Sequence, residues 1–74
     1  MTLAELKKGD SVRIESIDTA SASVQRLMTL GLVEGAELTF VGASLGGDPL
    51  EFLLHGSAVS LRLDDARHFS VASS

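Results

Sequence analysis

No cysteine occurs in the chain. That absence removes disulfides, thiolate metal sites and thiol nucleophiles, and it fits a reducing compartment. Tryptophan and tyrosine are also missing, and there are only three phenylalanines, so little is available to stack on nucleic-acid bases. Basic residues are sparse. Six Lys and Arg stand against ten Asp and Glu, a formal net charge of −4, and only Lys7 and Lys8 are adjacent. A basic face that would attract phosphate backbones is therefore not expected, and nucleic acid is not an expected partner. No apolar run approaches the roughly 18 residues of a membrane-spanning helix. The Met1–Lys8 segment lacks the apolar core and cleavage signature of a signal peptide. The expected location is the cytoplasm.

What is present fits one small domain over residues 1–74. A chain of this length buries only about 60% of its unfolded surface, so the core must be small. Thr2 as N-cap, with Glu5 three residues on, opens a single helical turn that ends at Gly9-Asp10. From Asp10 to Ile17 the pattern alternates, with Val12 and Ile14 on one face and Arg13 and Glu15 on the other, the signature of a half-buried strand. A small polar loop follows, in which Ser21 or Ser23 can cap a helix. The period then changes. Val24, Leu27 and Met28 form a helical stripe, with Gln25, Arg26 and Thr29 facing out. Two to three turns are too few for an isolated helix, so this one must lie on the sheet.

Gly31 occupies the C′ position, where a positive φ costs glycine nothing. That makes Leu32 the C″ residue and Leu27 the C3 residue, which often touch in such a cap. Ala36–Ala43 reads as a strand with Leu38 and Phe40 facing one way, and Gly42 marks a bulge or bend. Residues 44–49 form a loop. Leu50–Leu54 is a strand, His55-Gly56 a two-residue turn, and Ser57–Leu63 a further strand with Val59, Leu61 and Leu63 inward. Asp64–Arg67 is expected to be a helical turn capped by Asp64, Phe69 and Val71 a last short strand, and residues 72–74 a frayed end. Five short strands with glycine corners and one inserted helix point to a small, mainly β barrel.

The pattern Leu3-x-x-Leu6-x-x-Gly9, then Leu27-x-x-Leu30-Gly31-Leu32-x-x-Gly35, then Gly47-Asp48-Pro49 and Val59-x-Leu61-Arg62-x-x-x-Ala66, resembles the FeoA family. The match runs from Leu3 to Val71. The resemblance implies an SH3-like five-stranded barrel with a short helix after the first strand. It also implies an accessory role in bacterial ferrous-iron uptake, through contact with the cytoplasmic part of the FeoB permease. Contact with the membrane would then be indirect, through that permease. The same domain ends iron-dependent repressors of the DtxR type, but 74 residues leave no room for their DNA-binding part. The resemblance implies a more basic surface, as many members of that family carry, whereas here Leu61-Arg62 runs into Leu63-Asp64-Asp65.

No residue pattern points to catalysis. Neither histidine stands in a nucleophile motif, and the Ser44–Pro49 loop lacks the Lys and following helix of a phosphate cradle. No cofactor is expected beyond weak divalent-metal binding, for which His55 and His68 are the candidates. Asp64 and Asp65 precede His68 by four and three residues and could share its face, although neither spacing is a known ligand motif. The expected contact surface comprises Arg26, Met28, Leu30 and Leu32 together with Gly46, Gly47, Asp48 and Pro49. Leu30 leaves the helical stripe, and an apolar residue left outside on a small domain marks an interaction site. Two other readings compete: a metal-binding sensor or iron chaperone, and an RNA-binding small barrel, because residues 6–12 resemble the start of ribosomal-type barrels. The pattern assigns no oligomeric state.

Overall fold

The computed structural model describes all residues from Met1 to Ser74. A 3₁₀ turn at Leu3–Glu5 leads into β1 (Ser11–Ile17), α1 (Ala22–Thr29), β2 (Glu37–Ala43), β3 (Leu50–Leu54), β4 (Ser57–Leu61), α2 (Leu63–Ala66) and β5 (Phe69–Ser73). The strands form one antiparallel sheet in the order β4-β3-β2-β1-β5. All five strands and α1 supply residues to a single cluster of 15 buried side chains, every one apolar. Phe40 and Phe52 face each other across β2 and β3, with ring centroids 5.3 Å apart. The expected five-stranded mainly β architecture, with its helix after the first strand, is what forms.

Alternation sets the inner face. Val12 and Ile14 are buried while Arg13 and Glu15 are exposed. Two bulges then bend the strands. One lies at Gly42, as glycine at that point implied. The other lies between Ile14 and Ser16 against β5, where no glycine announces it. His55 and Gly56 both take positive φ, 52° and 81°, as a tight hairpin turn requires. Thr2 caps the first turn, accepting a hydrogen bond from the Ala4 N–H. That turn is shorter than expected, ending at Glu5 rather than at Gly9.

The C-terminal third departs further from the sequence reading. β4 stops at Leu61, and Leu63 opens α2 instead of extending the strand. Asp64 is not the cap. Arg62 holds the N-cap position without a side-chain bond, and Asp48 supplies the missing acceptor, its Oδ1 lying 3.0 Å from the Leu63 N–H. The N-cap therefore lies two residues earlier than expected, and the first donor of the helix is met by an acid fifteen residues away. Strand pairing also reaches further than expected. Ala72 and Ser73, assigned to a frayed end, pair with Arg13 and Val12, and the Ser74 N–H donates to the Ser11 carbonyl.

Candidate functional site

The N-terminus of α1 is capped by Ser21, whose Oγ accepts from the Ser23 and Val24 N–H groups. Val24 is fully buried, and Leu27 packs against the core cluster. At the other end, the Gly31 N–H donates to the Met28 carbonyl at 3.1 Å and the Leu32 N–H to the Leu27 carbonyl at 3.3 Å. This pair of bonds satisfies the last carbonyls of the helix, in the arrangement that the positions of Leu27, Gly31 and Leu32 implied. Gly31 has φ +109°, and a Cβ there would lie 3.3 Å from Leu54 Cδ2. The backbone conformation favours glycine, and a Cβ there would press on the Leu54 side chain.

The cap turns the chain back onto the core, so Leu32 is fully buried. Its side chain is therefore not open to a partner, contrary to expectation. A C″ residue packs beneath the helix end, and here it is the foundation of the exit. Leu30, the last residue before the turn, points the other way and is 61% exposed. Val33, on the same turn, is 42% exposed. Arg26 is exposed and Met28 half-buried. Val33 was missed in the sequence, although its place between buried Leu32 and the Gly35 turn was a usable signal.

The remaining expected contact residues lie elsewhere. Gly46 and Gly47 both have φ +85° in a 3₁₀ turn at Leu45–Gly47. The Ser44 N–H bonds to the Pro49 carbonyl across the base of the loop. Asp48 is occupied in capping α2. Leu45 stands fully exposed at the tip. This loop joins the end of β2 to the start of β3, whereas Gly31 meets Leu54 at the opposite end of the same hairpin. The length of β3 separates the two by about 15 Å. The eight expected residues therefore form two separate regions, not one surface.

The histidines are not brought together with carboxylates as a cluster. His55 is exposed on the β3–β4 turn. His68 Nδ1 lies 3.2 Å from Asp18 Oδ2, and the Asp18 N–H donates to the His68 carbonyl at 2.8 Å. Asp64 and Asp65 do not serve His68 with their side chains. Asp64 pairs with Arg67 at 2.8 Å, and Asp65 offers only its backbone carbonyl to the His68 N–H. The Asp18 carboxyl is held below the usual carboxylate range, first by the hydrogen bond from the Ala20 N–H and then by His68. Nowhere do three or more His, Cys, Asp or Glu side chains gather as metal ligands, and no pocket indents the surface. No helix is long and apolar enough to cross a membrane.

The model of the FeoA domain matches residues 1–73. This chain belongs to the FeoA family. Among solved structures it is similar to FeoA from Chlorobium tepidum, with 37% identity and a TM-score of 0.89 over 99% of this chain and 70% of the other. It is also similar to FeoA from Stenotrophomonas maltophilia, with 33% identity and a TM-score of 0.83 over 97% of this chain and 89% of the other. That protein was solved with zinc and described as a prokaryotic SH3 domain protein, with a suggested role as a ferrous iron transport activating factor. A manganese-dependent transcriptional repressor shares the fold alone, at 18% identity and a TM-score of 0.89, this chain covering 36% of its length. No curated protein matches the sequence. The five-stranded fold described above is accordingly SH3-like, and the family is one of accessory proteins tied to iron transport, not a known family of enzymes.

Proposed function

We propose that this FeoA-family protein is a cytoplasmic accessory factor of bacterial ferrous-iron uptake that docks on the cytoplasmic part of the FeoB permease. Docking biases GTP hydrolysis or gating by favouring one conformation of the permease over another, since a ligand shifts an equilibrium only by its differential affinity. The observation that carries this reading is Leu30, a large apolar side chain held 61% exposed by a rigid glycine cap. Val33, Arg26 and the open side of Met28 extend the patch, and Leu32 supports it from below. A surface without a pocket or a metal cluster supports a role in protein contact.

The test is binding of the purified FeoB cytoplasmic domain to the parent and to Leu30→Glu. The variant should fold with stability within about 0.5 kcal/mol of the parent, because the site is exposed. Its affinity should fall about tenfold or more, as when a central apolar anchor is lost. A folded variant that binds as tightly as the parent would remove this surface from consideration.

A second reading, divalent-metal binding, draws on the zinc complex of the S. maltophilia relative. Here it would use His68 beside Asp18, with water completing the shell. Calorimetry with ferrous or zinc ion decides it: the reading needs heat that vanishes when His55 and His68 are both replaced by Ala.

A further inference from the structure

The two edges of the sheet are treated differently. β5 has its outer edge covered by the protein's own N-terminus, through the Val71 N–H to the Met1 carbonyl at 2.8 Å and a bridge between Thr2 and Ser70. β4 has no such cover. Outside its ladder with β3, no backbone hydrogen bond involves any residue from Ser57 to Leu61. The usual protections of an edge are also missing. Ser57-Ala58-Val59-Ser60-Leu61 carries no charge and no proline, and its pairing with β3 runs without a bulge.

Alternation in the hairpin identifies the free groups. Residues flanking a two-residue turn exchange both hydrogen bonds, so Leu54 with Ser57, Phe52 with Val59 and Leu50 with Leu61 point their backbone groups at each other. The N–H and C=O groups of Ala58 and Ser60 then point away from β3, and both residues are exposed. These groups are spaced two residues apart around Val59, which makes the edge complementary to itself.

We propose that β4 is an interface for a second copy of this chain, joined antiparallel across a two-fold axis at Val59. In that register Ala58 faces Ser60 of the second copy, and Ser60 faces its Ala58. Four backbone hydrogen bonds close, and the two half-buried Val59 side chains meet on the barrel side of the seam. The net charge of −4 on each copy opposes this contact only weakly, because the carboxylates lie away from the seam and salt screens them. The nearest carboxylate along the joined sheet is Glu51 on β3, which already accepts a hydrogen bond from Ser60 Oγ at 2.7 Å. Its counterpart is three strand spacings away, about 14 Å, beyond the screening length at physiological salt. Small uncharged side chains therefore meet at the seam, while the acids stay apart. The interface is distinct from the helix exit carrying Leu30.

Sedimentation equilibrium across micromolar to millimolar protein tests the proposal, combined with amide hydrogen exchange. The parent should show up to a twofold rise in average mass, with the Ala58 and Ser60 amides slowing as concentration rises. The Ser57 and Val59 amides, already within or beside the β3 ladder, should change less. Ala58→Lys, which places a charge on the edge, should keep the circular dichroism of the parent and lose the rise in mass. Should that variant misfold, Ser60→Pro removes an outward N–H that β3 does not use and should have the same effect. Leu30→Glu should associate like the parent. A parent that stays monomeric throughout overturns the proposal, as does association that survives in folded Ala58→Lys and Ser60→Pro, or association lost only in Leu30→Glu.

Discussion

The two ends of the β2–β3 hairpin each present an exposed leucine, and they hold it by different means. At one end Leu30 sits on a glycine cap whose two hydrogen bonds close within six residues, with fully buried Leu32 beneath it. At the other end Leu45 stands on a glycine-rich loop closed by the Ser44 N–H bond to the Pro49 carbonyl and the Gly47 N–H bond to the Ser44 carbonyl, and tied to α2 where the Leu63 N–H donates to Asp48. The first leucine is positioned by the core. The second is positioned by a surface cap. An apolar side chain on a rigid mount loses less freedom on binding, which is why the helix exit is the stronger docking candidate.

The largest test of this contrast is Leu32→Ala. It should destabilise the protein by about 2–5 kcal/mol in urea unfolding, as truncating a buried leucine does, whereas Leu30→Ala should leave stability within about 0.5 kcal/mol. Gly31→Ala comes next, at about 1–3 kcal/mol for a side chain at strained positive φ, with the contact to Leu54 adding to the cost. Gly46→Ala at the other end meets no neighbour within 4 Å and should cost less. Asp48→Ala should cost about 1 kcal/mol, the worth of a helix cap, and should speed amide exchange at Leu63 without touching α1. A destabilisation by Asp48→Ala as large as that of Leu32→Ala would erase the distinction between the two ends.

The smallest effect concerns Asp18, which ties the entry of α1 to the start of β5. Its folded pKa is lowered, so its contribution to stability is fully present above the ordinary aspartate value and disappears as pH falls through the lowered one. Carboxyl NMR titration should show a depressed midpoint for Asp18, and Asp18→Asn should flatten the acid limb of stability slightly. A midpoint in the ordinary range would mean that the Ala20 and His68 bonds do not hold in solution.

Much of the frame was legible in the residues. Val12, Ile14, Leu38 and Phe40 announced their strands by alternation, and Val24 and Leu27 announced the helix by its period. The cap at Gly31 was readable down to the identity of its C3 and C″ residues. The contact surface was less so. Leu30 was found because it leaves the stripe. Leu32 was misplaced because leucine on either side of Gly31 looks alike until the turn direction is known. His68 was paired with the nearest acids in sequence, while its partner lay fifty residues away at Asp18.

The division follows the span of the bonds involved. Strand faces, the α1 stripe, its glycine cap and the His55-Gly56 turn rest on contacts within a few residues, so local periodicity and glycine placement determined them, while the N-cap was narrowed only to Ser21 or Ser23. The Asp48 cap on Leu63, the Asp18–His68 link, the separation of the helix exit from the Ser44–Pro49 loop and the uncovered edge of β4 were decided only by the closed fold. Each depends on which strand ends lie side by side, and chain order does not state that until the sheet has curled around its core.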